Sequence, residues 1–270
     1  MLDFTGKTVL VTGGGAGIGH ACAVSFAQQG AQVFIAEIDP ERCARFSKGK
    51  AVQCDVTKRD DVTALARTID EDTGGKLDIL INNVGHYVHA KPFSNLTLDE
   101  IEDIIEINLT SVFTVTHTML PLLKAAAPGA SIINITSIEA YRGIPTCSVY
   151  SAGKWGITGF TKSLALELAP LGIRVNDIAP ETTETAQTPI DYMVPPENRG
   201  YVKQWIPLGR FGKPEDCAGA ALFLASPLAS WVTGTAINVD GGSLAAAGWI
   251  RDVNGVWTNM PIVTGNGMNL

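Results

Sequence analysis

The sequence predicts an α/β fold in which one parallel sheet is wound with helices on both faces. Three observations carry this expectation. Short β-branched or aliphatic runs alternate with longer stretches of helical spacing, the order of a chain built from βαβ units. Several of these runs, "TVLVT", "DILIN" and "SIINIT" among them, are almost continuous in apolar residues, as strands covered on both faces must be. A glycine-rich string, "TGGGAGIG", stands between the first run and the first helical pattern. No Ser/Pro-rich or charged linker interrupts the 270 residues, so one large domain is expected.

In chain order, the first strand is the run Thr8–Thr12, and the pattern "IGHACAVSFAQQ" makes Ile18–Gln29 the first helix. The second strand is expected over Gln32–Ile38, followed by a short helix at Arg42–Lys48. Ala51–Cys54 supplies the third strand and Lys58–Asp72 the helix that follows it. Ile79–Asn82 is the fourth strand. The pattern Thr97–Lys124 reads as a helix with a break, and Ser131–Thr136 returns to the sheet. Val149–Leu168 is the next helix, Arg174–Ile178 the sixth strand, Pro214–Ala225 a further helix and Ala236–Val239 the last strand. Glu181 to Pro207 has several prolines and little periodicity. It is a disordered insertion or a loop closing over a ligand, and its position after a strand's carboxyl end favours the lid.

The glycine string allows a tight turn and close backbone approach to a pyrophosphate, which then sits at the positive N-terminus of a helix. It follows a strand, precedes a helix and opens the first βαβ unit, the context that gives such a string meaning. Glu37 ends the second strand, where a carboxylate can accept hydrogen bonds from both ribose hydroxyls of an adenosine. A 2′-phosphate would meet like charge there, and the glycine loop has no Arg or Lys to offset it, so NAD(H) is expected over NADP(H). Asp39 is the alternative acid, with Glu37 then a solvated strand end.

A second constellation lies in "SVYSAGKWG", Ser148 to Gly156. On a helix, Tyr150 and Lys154 share one face a turn apart. An ammonium beside a phenol stabilises the phenolate, so Tyr150 is expected to titrate below its ordinary value of about 10 and to act as a general acid and base.

The motifs "TGGGAGIG", "CDV" at Cys54–Val56, "NNVG" at Asn82–Gly85, "ITS" at Ile135–Ser137, "YSAGK" at Tyr150–Lys154, "RVNDIAP" and "VDGG" together resemble the short-chain dehydrogenase/reductase family, in its order and spacing through Gly242. The resemblance implies a Rossmann sheet of seven parallel strands, residues 1–242 as one dinucleotide-binding and catalytic domain, and a homo-oligomer, commonly a tetramer. It implies a catalytic tetrad of Asn108, Ser137, Tyr150 and Lys154. In those roles Tyr150 transfers the proton, Lys154 lowers its pKa and holds the nicotinamide ribose, Ser137 binds the substrate oxygen, and Asn108 anchors a water linking Lys154 to solvent. Cofactor contacts are implied for Gly13, Ala16, Gly17, Ile18, Gly19 and Glu37, for Asp55 and Val56 at the adenine, for Asn83, and for Thr183 and Thr185 near the nicotinamide carboxamide and phosphates.

The chain departs from the family after the sixth strand, where Pro-Gly is usual and Pro180-Glu181 stands here. Glu181 adds a carboxylate near the pocket mouth and Glu139, two residues after Ser137, is a candidate for another; either could bond a substrate hydroxyl or attract a cation, though solvated surface acids are the commoner outcome. The two histidines of "HYVH", His86 and His89, lack a third ligand, so no metal is expected, and His86 and Tyr87 are assigned to the substrate side of the cleft.

A net charge of −7 and the lack of Lys/Arg runs argue against a nucleic-acid or lipid surface, leaving a small-molecule partner. Five scattered cysteines without a CxxC read as reduced thiols, and "MLDFTGK" carries no secretory signal, so a cytoplasmic setting is expected. The leading reading is an NAD-dependent enzyme interconverting a small secondary alcohol, cyclic or hydroxysteroid-like, and its ketone. A non-catalytic nucleotide sensor would not need the Tyr150–Lys154 relay. A ketoacyl reductase acting on an acidic carrier protein would face Asp99, Glu100, Glu102, Asp103 and Glu106 on one helix. Residues 243–270 contain Trp249, Trp257 and several aliphatic side chains with few charges, and are expected to pack on their own subunit or a neighbour.

Overall fold

The computed structural model describes residues 2–246, so of the expected C-terminal extension only Ser243–Ala246 is described and residues 247–270 lie outside the described residues. Seven strands, β1 (Thr8–Thr12), β2 (Gln32–Glu37), β3 (Lys50–Gln53), β4 (Ile79–Asn82), β5 (Ser131–Ile135), β6 (Arg174–Pro180) and β7 (Ala236–Val239), form one sheet in the order β3-β2-β1-β4-β5-β6-β7. Every neighbouring pair is parallel. The helices are α1 (Gly17–Gln28), α2 (Pro40–Arg45), α3 (Arg59–Thr73), α4 (Leu98–Ile105), α5 (Ser111–Ala125), α6 (Ser148–Leu168), α7 (Ile190–Met193), α8 (Val202–Trp205), α9 (Pro214–Ala225) and α10 (Ser243–Ala246).

The continuous apolar strands have the expected cause. Successive side chains point to opposite faces, and both faces are covered. Leu10, Phe34, Leu80 and Ile132 pack with Leu65, Met119 and Leu164 of α3, α5 and α6. Val9, Val11, Ile35, Ile81 and Ile133 pack on the other side with Phe26 of α1 and Leu224 of α9. Chain order reverses between β1 and β4, and the crevice at their carboxyl ends is where such sheets bind ligands.

Local chemistry explains the differences from expectation. The second strand stops at Glu37 because Asp39 caps α2, its Oδ1 accepting from the backbone N–H groups of Glu41 and Arg42, with Pro40 at the first helical position. That cap also starts the helix earlier than Arg42 and occupies the Asp39 carboxylate. The break in the long helix is a π-helical turn, Glu106–Thr110, which turns Asn108 into the interior. Thr97 and Glu100 form a reciprocal capping box that fixes the start of α4. The disordered alternative for the segment after β6 is wrong: it carries α7, α8 and a 3₁₀ turn, and Val194, Val202, Trp205, Ile206 and Phe211 give it a small apolar core. No helix among the described residues is long and apolar enough to cross a membrane.

Candidate active site

A cleft of about 370 Å³ opens at the carboxyl ends of the strands, running from the glycine loop and Glu37 past Asn83 and Tyr87 to Ser137, Tyr150 and Lys154, with Thr183 and Thr185 along one wall. A second cavity of about 340 Å³, lined by Leu208, Arg210, Asp216 and Asp240, shares only Glu181 with it.

At the first end, Gly17 has φ +53°, a left-handed conformation that L side chains rarely adopt. At Gly19 an added Cβ would lie 2.4 Å from the Gly13 carbonyl, so only glycine lets α1 start against the loop. The Glu37 carboxylate is buried, accepting from Gly15 N at 3.0 Å and from Asp39 N at 3.1 Å. Sequence reasoning looked for cations inside the glycine loop and so missed Arg42, which enters the cleft from α2. Its guanidinium lies 3.8 Å from Glu37 and 3.3 Å from Asp39. Two carboxylates against one guanidinium leave this end negative. Gly13, Ala16, Gly17, Ile18, Glu37, Asn83, Thr183 and Thr185 all line the cleft, and Thr185 packs against Gly17. Asn83 also ties β4 to β1, bonding the Thr12 carbonyl at 2.9 Å. Gly19, Asp55 and Val56 do not line the cleft. Asp55 accepts from Thr57 N and Oγ1 in a local turn, and Val56 belongs to the core.

At the other end, α6 carries Tyr150 and Lys154, both buried, to the end of β5, where Ser137 begins a tight turn. The expected lowering of the Tyr150 pKa is not what the environment produces. Burial pushes the phenol up to about 12, and the nearby Tyr87 and Ser137 hydroxyls offset only part of this. Lys154 does not counter this, because Nζ points to the Ile135 carbonyl at 3.0 Å and lies 5.7 Å from the Tyr150 ring centre. Burial brings Lys154 itself down to about 8. Asn108 does not line the cleft. Its Oδ1 accepts from His86 N and its Nδ2 donates to the His86 and Ile104 carbonyls, each at 3.0 Å, so its side chain clamps the loop after β4 to the π turn.

These side chains stand on a sheet of the expected topology, and similarity to known proteins is consistent with both. The model of the family described as enoyl-(acyl carrier protein) reductase matches residues 13–243. The chain is 38% identical over 245 residues to a 3-oxoacyl-[acyl-carrier-protein] reductase of Thermotoga maritima, covering 88% of this chain and 97% of that one. It is 40% identical over 252 residues to 3beta-hydroxysteroid dehydrogenase 1 of Eggerthella lenta, covering 89% and 94%. The chain belongs to the short-chain dehydrogenase/reductase family. Among solved structures, a 3-ketoacyl-(acyl-carrier-protein) reductase from Brucella melitensis complexed with NADH matches with TM-score 0.81 and 34% identity over 90% of this chain and all (100%) of that one.

The residue after Pro180 has a different setting from the one expected. Glu181 and Glu139 are 7% and 2% exposed, so neither is a solvated surface acid. Their oxygens are engaged by other groups of the chain. Arg142 bonds Glu139 Oε1 at 2.9 Å and Oε2 at 3.2 Å, and reaches Glu181 Oε2 at 2.7 Å. Glu181 also accepts from Thr182 N at 2.7 Å and from Ser243 Oγ at 2.6 Å. Arg142 thereby joins the turn bearing Ser137, the end of β6 and the start of α10. Glu139 stands three residues before Arg142, a spacing visible in the sequence, but Glu181 and Ser243 lie 39 and 101 residues away, so the junction as a whole had no local signal.

Proposed function

We propose that this short-chain dehydrogenase/reductase is an NAD(H)-dependent oxidoreductase interconverting a small secondary alcohol and its ketone. The observation that carries the reading is the convergence of Ser137, Tyr150 and Lys154 at one end of a cleft whose other end is a glycine loop closed on a buried carboxylate. The loop and Glu37 fit the adenosine and pyrophosphate of a dinucleotide, and Lys154, Thr183 and Thr185 its nicotinamide half. Bound NADH would supply the hydride for the carbonyl carbon. Ser137 holds the substrate oxygen, and Tyr150, protonated across neutral pH, donates its proton to that oxygen as charge develops. In oxidation Tyr150 takes the proton back. Lys154 keeps a cation beside this exchange while its ammonium is intact. The free thiols of the five cysteines suit a cytoplasmic enzyme.

A β-ketoacyl thioester on a carrier protein is the second reading, favoured by the Thermotoga relative and by Lys91, which pairs with Glu100 at 2.7 Å and offsets part of the acidic charge of α4. A panel of secondary alcohols with NAD, and of the matching ketones with NADH, followed by nicotinamide absorbance beside an acetoacetyl thioester, tests both. Free alcohols or ketones should give kcat/KM at least tenfold above the thioester, about 1.4 kcal/mol in transition-state binding. A thioester preferred to every free ketone would replace the first reading with the second.

A further inference from the structure

We propose that Arg142 is a positioning residue of the reaction centre, holding Glu139 in the place from which its backbone sets the hydroxyl of Ser137. This rests on the role of Ser137 given above, in which that hydroxyl holds the substrate oxygen.

Glu139 follows Ser137 by two residues, and its backbone touches both elements that bring hydroxyls to the cleft. Its N–H donates to Ser137 Oγ at 3.2 Å. Its carbonyl accepts from Ser151 Oγ, and Ser151 is the residue after Tyr150 on α6. Because Ser137 Oγ accepts the bond from Glu139, its own O–H is the part that donates to a substrate oxygen. A shift of Glu139 therefore re-aims Ser137.

The Glu139 side chain is buried, so the chain itself must hold it. Arg142 does so with a fork: Nε donates to Oε2 at 3.2 Å and Nη2 to Oε1 at 2.9 Å. The same Nη2 reaches Glu181 Oε2 at 2.7 Å, and Nη1 reaches Ser243 Oγ at 3.4 Å. The guanidinium also stands 5.9 Å from the centre of the Trp205 ring, which belongs to the small apolar core of the segment after β6. Glu181 and Thr183 line the cleft, so the wall that carries them is tied to the same group as Ser137. One planar cation thus fixes the turn after β5 against the end of β6. A lysine in its place would keep the charge as a compact point and lose the fork.

The test is a double-mutant cycle of Arg142→Lys with Ser137→Ala, read as kcat for ketone reduction at saturating NADH beside NADH affinity by fluorescence titration. Alone, Arg142→Lys should lower kcat about tenfold with NADH affinity unchanged, because a misplaced donor costs transition-state binding and not cofactor binding. In the Ser137→Ala background the same substitution should change kcat by less than about twofold, since the group it positions is gone. A merely structural role would lower kcat equally in both backgrounds; that result, or an unchanged kcat in Arg142→Lys, would overturn the proposal. Glu139→Gln keeps the side-chain volume and breaks the fork, and carries the same expectations where Arg142→Lys does not fold. Ser137→Ala turning over at the wild-type rate would instead overturn the role of Ser137 on which the proposal rests.

Discussion

At the scale of single side chains, the proposed preference for NAD rests on Glu37 and Arg42. With Glu37 and Asp39 against one guanidinium, a 2′-phosphate meets net negative charge, and wild type is expected to prefer NAD over NADP by at least about tenfold in kcat/KM, roughly 1.4 kcal/mol. Glu37→Ser leaves Arg42 facing the ribose end and should narrow that gap; equal kcat/KM for both cofactors in wild type would show that Glu37 does not read the ribose. Tyr150 gives a pH prediction of definite sign. Held up to about 12, it is protonated across neutral pH, so ketone reduction should be level there and alcohol oxidation should rise with pH. Steady-state rates in both directions over one pH series check this. Tyr150 and Lys154 were legible because helical spacing is a local property. The sign of the Tyr150 shift was not, since desolvation and the direction of the Lys154 ammonium depend on β5, a separate element.

At the scale of elements, three pieces of chain meet at Arg142: the turn after β5, the end of β6 and the start of α10. Its guanidinium is shared by two buried carboxylates, so Arg142→Met should destabilise the fold by about 3–5 kcal/mol by removing the cation that bonds both. Urea unfolding of both proteins measures it. The break in the long helix could be read from the sequence, but not its π form, which follows from Asn108 turning inward to bond His86. The segment after β6 read as irregular because its apolar residues make contact through short turns rather than at one helical period.

For the molecule as a whole, apolar runs announced a parallel sheet covered on both sides. The strand order was not legible, because it is set by contacts between elements distant in sequence. Large apolar side chains remain exposed on α5 and α6, among them Phe113, Trp155 and Leu166, and Trp231 is 99% exposed. We therefore expect light scattering to give the mass of a tetramer, with a monomer contradicting that. The central claim is that one cleft joins a dinucleotide to a tyrosine that moves the proton. It is tested most directly by turnover and NADH binding of Tyr150→Phe on the best substrate of the panel. Turnover should fall at least about 100-fold with NADH affinity nearly unchanged. Retention of most of the wild-type kcat would contradict the account.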